Sequence, residues 1–378
     1  MSPAGSSGNS FVMEILKIVQ KIHSDERIAY IDVLRIISAF AVIIVHVTAN
    51  DWANAFHDSV WHIYNVYRAS VNWCNPVFVM VSGVFFLDPC KILSIEKLYK
   101  KYILRIMLAI AFWGLFYYLP DIVYGYVCKS GTITGQTWLF VAKKIVFGVP
   151  WHHLWYLYMI IGLYMLAPLY RIFSRFASKK DFVYLLLVFV VFGSILPMIK
   201  SVLAFFHYES SIYFSVEQAA TWTGYFFAGY FFSKYEISRK SKYAIYVAGL
   251  LSLIFTVLGT ACFSAKNNAV TGIFCGAFSP TTVFQSFALF LLVKSIGRGG
   301  DFASTKICAK RIVGMFGRTT FGIYLIHAFV LRLCIYVGLT SRFVNPAFAI
   351  PLVSALIFIV SFALIFLFRK LPLGTLLA

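Results

Sequence analysis

The sequence predicts an all-α, polytopic membrane helix bundle of about ten transmembrane helices, with the N- and C-termini cytoplasmic. Three observations predict it. Of 378 residues, 61% are hydrophobic and only 12% charged, against about 25% charged in a soluble globular chain. The apolar residues recur in runs near the length of about 20 that a helix needs to cross a bilayer. Lys and Arg then gather in alternate connecting segments, as the positive-inside rule requires.

In chain order the spans read 29–49, 71–87, 103–124, 152–172, 181–199, 214–233, 243–263, 277–296, 316–338 and 347–368. With the N-terminus inside, the inner segments hold 24 Lys and Arg and the outer ones 8, with Arg35 inside the first span. An omitted or invented span would scramble that bias. The resulting organisation is a cytoplasmic segment over 1–28, a transmembrane domain over 29–370 and a cytoplasmic tail over 371–378. In the first of these, Phe11, Ile15, Ile18 and Ile22 at helical spacing predict a short helix at the inner headgroups. No basic stretch followed by an apolar one opens the chain, so no cleavable signal peptide is expected. Trp138 to Phe147, in the outer segment 125–151, is too short to span and reads as an interfacial or re-entrant helix. No repeat and no attached soluble domain is evident, so any chemistry belongs to the bundle and its loops.

The net charge of +19 is read as an orientation signal and as contact with anionic lipid headgroups. Divided among short loops, it does not make the basic face of a nucleic-acid-binding domain. The seven cysteines show no metal-type spacing, so no metal site is expected. Most read as small residues of the membrane core, and Cys262 and Cys275, which could flank one outer loop, as a pair that could bridge.

Ionisable groups inside a bilayer are costly and usually mark a functional path. The first span carries Asp32, Arg35 and His46. Arg35 and His46 are eleven residues apart, about three turns of helix, and Asp32 lies within about 60° of Arg35 on the wheel. The three form one polar stripe. A neutral imidazole takes a proton near neutral pH, so His46 is the best general-base candidate in the chain. His152 and His153 open the fourth span, followed by Trp155, on the same outer side as His46. They read as an aromatic interfacial belt or as partners of His46. His327, mid-helix in the ninth span, reads as cavity-lining. Glu217, at the outer start of the sixth, reads equally as cavity-lining or interfacial. Ser82 and Gly83 in the second span read as a close helix crossing or as local polarity at a cavity. At the inner mouth of the third span, Lys97, Lys100 and Lys101 fall near one helical face, with Arg105 one turn on. Orientation explains the lysines; Arg105 reads as part of a site for a phosphate-bearing cytosolic donor.

The ordered set resembles the membrane acyltransferase-3 family. Asp32, Arg35 and His46 look like its first-helix motif. NPVFVMVSGVFFL, HHLWYLYMIIGLYMLAPL and FGIYLIHAFVL look like its second-helix, fourth-helix and late patterns, and together these cover most of residues 28–338. The closest likeness is to stand-alone members that O-acetylate bacterial surface glycans such as the enterobacterial common antigen. The resemblance implies a multi-pass enzyme of the bacterial cytoplasmic membrane with no tightly bound cofactor. It would move an acetyl group from cytosolic acetyl-CoA to a hydroxyl of a glycan or lipid-linked saccharide at the outer face. His46 would take the catalytic position with Asp32 and Arg35, while Lys100, Lys101 and Arg105 would hold the donor. His153, Trp155, Glu217, His327 and Ser82 would line the substrate cavity. Many relatives carry paired arginines where this chain has Lys100, Lys101 and Arg105. The competing reading is a transporter that uses the stripe as a proton or solute path. The absence of a repeat, and Pro168 and Pro197 near span ends, lean away from it.

Overall fold

The first helix, α1 (Ser7–Asn54), is the hub of the bundle. The computed structural model describes residues 7–91, 93–128, 134–148, 150–208, 217–298 and 307–378, with backbone alone at 7–28, 50, 125, 127–128, 217–220, 298 and 307–310. After α1 come α2 (Trp61–Val71), α3 (Cys74–Phe86), α4 (Ile95–Lys97), α5 (Leu104–Cys128), α6 (Gly135–Phe147), α7 (Trp155–Phe176) and α8 (Lys179–Val190). Then follow α9 (Leu196–Phe205), α10 (Glu217–Lys234), α11 (Arg239–Asn267), α12 (Pro280–Arg298), α13 (Ile307–Tyr336), α14 (Pro346–Phe368) and α15 (Gly374–Leu377). Among the described residues there is no strand. Nine helical segments there are long and apolar enough to cross a membrane. The expected sixth span, 214–233, coincides with α10, whose preceding residues lie outside the described ones.

α1 packs against α2, α3, α12, α13 and α14. Its apolar window is 61% buried within the protein, whereas that of α11 is 22% buried. The stripe of charge explains the central place of α1: polar groups at membrane depth must face protein or a cavity. α11 instead turns Val247, Leu250, Leu251, Ile254 and Leu258 outward, a face suited to lipid chains. The interfacial reading of Trp138–Phe147 corresponds to α6, which leans on α5.

Four features depart from the sequence expectation. First, α1 is one continuous helix from Ser7, so the expected short helix over 11–23 has no break from the span. Second, the second span is longer than 71–87: α2 and α3 form one segment, Trp61–Phe86, joined through a turn at Asn72 and Trp73. The polar residues that lowered the apparent hydropathy of α2 each donate a hydrogen bond inside the protein. Asn65 donates to the Val257 carbonyl at 2.9 Å, Tyr67 to that of Ala347 at 2.8 Å, and Arg68 to that of Val45 at 3.4 Å. Third, Pro197 does not mark a span end. It follows a wide π-turn, Val191–Ile195, inside the segment Lys179–Phe205, and Pro168 also lies within α7. Proline lacks an N–H and its ring clashes with the carbonyl four residues back, here that of Gly193, so the helix opens there. Fourth, the cytoplasmic tail expected over 371–378 packs on the bundle: α15 folds back on α5, and Leu377 and Ala378 are buried. Cys262 and Cys275 are free thiols, and Cys275 contacts the Thr260 hydroxyl, so the bridge considered for them is not formed.

α3 and α10 cross so closely that each presents a glycine to the other's backbone. A Cβ on Gly83 would lie 1.8 Å from the Phe226 carbonyl oxygen, and one on Gly229 would lie 1.8 Å from that of Met80. Small residues at membrane helix crossings permit such contact. Gly229→Val therefore separates the helices and abolishes the folded protein, whereas Gly162→Ala, with open space around it, is neutral. Thermal unfolding in detergent measures both.

Candidate active site

Side chains at helical spacing on five helices line one passage. α3 contributes Phe85, Ser82 and Phe78; α7 contributes Tyr164, Ile160 and Tyr156; α13 contributes Gly317, Phe321 and Tyr324. α1 adds Arg35, and α5 adds Arg105 and Ile106. Steps of three and four keep each set on one helix face. The wider part is a cavity of about 740 Å³ at the inner end, reaching Lys91 and Lys97. A deeper part of about 240 Å³ shares Arg35, Ser82, Arg105, Ile106, Tyr164 and Phe321 with it and ends on Phe78, Tyr156 and Tyr324. We refer to these three rings as the collar.

Asp32 and Arg35 are joined by a 3.4 Å ion pair. The carboxylate is 6% exposed and packs against Gly317, where a Cβ would lie 2.5 Å from the Asp32 Cγ. Arg35 keeps 34% of its side chain exposed, to the cavity, with its guanidinium 5.0 Å from the Phe85 ring centroid. Asp32 is thus a buried anchor and Arg35 the group available to a ligand.

Immediately beyond the collar lie four imidazoles. The His46 ring centroid is 4.9 Å from that of His152, 5.2 Å from His327 and 6.3 Å from His153, and His153 and His327 are 4.9 Å apart. Tyr324 touches both inner histidines, at 5.6 Å from His153 and 5.9 Å from His327. Its hydroxyl donates to the His153 carbonyl. His327 Nδ1 lies 2.7 Å from the Tyr324 carbonyl, and His153 Nε2 lies 3.3 Å from that of Leu325. A carbonyl only accepts, so these nitrogens carry the protons when the rings are neutral. The opposite nitrogens, His327 Nε2 and His153 Nδ1, are buried with no partner within the protein. Two imidazoles in fixed tautomers therefore flank His46. His46 is half-buried and His152 exposed, so the cluster opens outward.

The structure places Arg35 and Ser82 on the passage, Asp32 behind Arg35, and His46, His153 and His327 together beyond its deep end. Ser82 lines both parts, with the Tyr164 hydroxyl 3.5 Å away. Trp155 packs on Trp222, centroids 5.7 Å apart, beside the collar residue Tyr156. The side chain of Glu217 lies outside the described residues. The lysine expectation needs correction. Lys100 pairs with Glu96 at 2.8 Å on the exposed surface, and Lys101 is exposed beside Tyr102. Neither lines the cavity, whereas Lys91 and Lys97 do. The cause is a π-turn over Leu98–Ile103: its i→i+5 bonding widens the turn and rotates Lys100 and Lys101 off the face that α-helical spacing assigned them. Arg105 does line the cavity, but it donates to the Leu376 and Ala378 carbonyls at 3.1 and 2.9 Å. It ties α15 to α5.

The collar and Arg68 went unrecognised. Tyr324 stands three residues before His327 and Tyr156 three after His153, so a search for aromatics one turn from each intramembrane histidine finds both. Arg68, read as an outer-loop charge, lies on α2, donates to the carbonyl of Val45 beside His46 and stacks 4.9 Å over Trp52.

Cysteine accessibility tests the passage. With Cys90 and Cys262 replaced by Ser, an impermeant maleimide should label Ser82→Cys and Lys97→Cys from the inner face and His152→Cys from the outer. Labelling of Ser82→Cys from outside would break the assignment of sides. Lys100→Gln changes stability by under about 1 kcal/mol, as for other exposed ion pairs, and denaturation of the folded protein checks it.

The acyltransferase domain model of the acyltransferase-3 family matches residues 28–369. No curated protein and no solved structure matches the chain. A match over nine-tenths of the sequence that spans every wall of the passage settles the family: this chain is a membrane acyltransferase of the acyltransferase-3 family.

Proposed function

We propose that this acyltransferase moves an acetyl group from acetyl-CoA in the cytosol to a hydroxyl of a surface glycan, or of its lipid-linked precursor, on the outer side of the bacterial cytoplasmic membrane. One observation carries the reading. A cavity with cationic walls leads from the inner end to a collar whose far side touches the histidines around His46. CoA is anionic and bulky at one end and slender at the other. Lys91, Lys97 and Arg35 present positive charge where the phosphates would rest, and the narrower part suits the pantetheine arm. The acceptor approaches from the outer side, where His152 is exposed.

The chemistry then needs one base and little movement of charge. A His46 ring nitrogen takes the proton of the acceptor hydroxyl as its oxygen attacks the thioester carbonyl. The new C–O ester bond forms, the C–S bond breaks, and the proton passes from His46 to the leaving thiolate to give CoA. His327 Nε2, a bare lone pair on the neighbouring ring, can hold the other His46 N–H and fix the tautomer. A positioned base of this kind contributes roughly 10²- to 10⁴-fold.

Two measurements test the reading. Purified protein with labelled acetyl-CoA and a surface-glycan extract should transfer label to glycan, and His46→Ala should lower that rate by about 10² or more. Transfer that survives His46→Ala, or label that never reaches glycan, overturns it. Arg35→Gln and Lys97→Gln should raise KM for acetyl-CoA several-fold, with less effect on KM for the acceptor.

A further inference from the structure

The reaction proposed above gives the collar no part of its own. The deep cavity ends on Phe78, Tyr156 and Tyr324. The ring centroids are 6.2 Å apart for Phe78 and Tyr156, 6.5 Å for Phe78 and Tyr324, and 5.6 Å for Tyr156 and Tyr324. At such separations aromatic rings are in contact. Beyond them the interior is again filled by rings: His153 and His327 are each 1% exposed, and Tyr117 lies 5.2 Å from His153. A thioester travelling up the passage leads with its acyl end. That end must part the collar and then fit among packed imidazoles before the carbonyl carbon comes level with His46.

We infer that Phe78, Tyr156 and Tyr324 form an acyl-selecting constriction that restricts the donor to two-carbon and similarly short acyl groups, with Phe78 setting the limit. The three rings differ in freedom. Tyr324 is tied at both ends, its hydroxyl to the His153 carbonyl and its own carbonyl to His327 Nδ1. Phe78 has no polar anchor, is half-buried, and sits one turn from Ser82 on α3. It is the wall that a longer acyl group would have to displace. α3 is pinned just below it by the glycine crossing with α10, so the backbone cannot retreat to make room. Each methylene beyond acetyl is therefore pressed into a packed site, and pocket discrimination of this type is about 10- to 200-fold per methylene.

The inference rests on the acyl-CoA reading above, and the experiment separates the two. Native membranes containing the chain, which supply the acceptor, receive acetyl-, butyryl- or hexanoyl-CoA. Free thiol release is followed, with His46→Ala membranes as blank. The wild type should favour acetyl over butyryl by at least about tenfold. Phe78→Ala should bring that ratio towards unity, and Phe78→Trp should keep or sharpen it. Tyr156→Leu, on the opposite wall, repeats the test should Phe78→Ala not fold. Because the ratio is taken within one preparation, a loss of folded protein lowers both rates and leaves it unmoved. Equal turnover of acetyl and butyryl by the wild type, or a ratio untouched by Phe78→Ala and Tyr156→Leu, overturns the inference and leaves the donor reading standing. No His46-dependent thiol release from any of the three donors overturns the donor reading itself.

Discussion

A carboxylate and a guanidinium at membrane depth tolerate only one kind of surroundings, and the bundle is arranged to supply it. Asp32 and Arg35 must sit away from lipid, paired, with remaining donors turned to protein or to a polar cavity. That requirement puts α1 at the centre, touching five helices. It also accounts for Gly317: any side chain there would occupy the space of the Asp32 carboxylate. Arg35 is then held between its partner and the Phe85 ring with one side open. The cavity exists where it does because the charge that lines it cannot be packed shut without cost.

Unmet hydrogen-bonding capacity is distributed as unevenly as charge. Hydroxyls of Ser and Thr aside, the buried side-chain polar groups without a partner among the described residues belong to Trp52, Asn65, Arg68, Asn72, Trp151, His153 and His327. None of the seven lines the inner cavity or its deeper part. Buried polar groups in folded proteins are nearly always satisfied, so such a concentration marks a region built to be completed by something polar. Donors on two indoles, the Asn72 amide and the Arg68 guanidinium, with acceptors on the Asn65 amide and two imidazoles, match the polyhydroxylic acceptor proposed above. The inner cavity, by contrast, presents aromatic and cationic walls. The two ends of the passage are chemically different, as transfer between unlike substrates requires.

Much of this was legible in the sequence, and the failures share a cause. Apolar runs and alternating Lys and Arg located the bundle, since both report on the bilayer and not on tertiary detail. The stripe of Asp32, Arg35 and His46 was readable because α1 is a regular helix, so fixed periodicity placed the side chains. The kinship of His46 with His152 and His153 followed from shared depth, whereas His327, read as cavity-lining, joins them only through the packing of α13 on α1. Periodicity failed where the backbone departs from it: the π-turn at Leu98–Ile103 moved Lys100 and Lys101 off the cavity, and the π-turn at Val191–Ile195 admitted Pro197 to mid-span. Hydropathy failed at α2, where Asn65 and Arg68 each donate to a carbonyl of α11 or α1, partners invisible to a window of neighbours. The return of α15 to Arg105 and Trp113 depends on contacts over 260 residues apart in sequence and leaves no local trace.

The collar reconciles two demands that oppose each other. The reaction proposed above requires that a thioester reach His46 while the inner cavity stays sealed from the outer water. A rigid seal would block the donor, and an open channel would dissipate gradients. The bonding of the three rings divides the task. Tyr324 cannot move without disturbing both inner histidines, because one of its oxygens donates to the backbone of His153 and the other accepts from the ring of His327. It behaves as a fixed post that registers the cavity against the catalytic cluster. Movement falls to Phe78, which meets the post from α3 with no polar anchor, while Tyr156 meets it from α7 with its hydroxyl bonded to Ser82. α3 is itself anchored by backbone contact with α10, so the available motion is rotation of side chains and not separation of helices. A seal that yields by ring rotation admits a slim group and closes behind it. Selection by size and insulation of the two compartments then follow from the same few contacts.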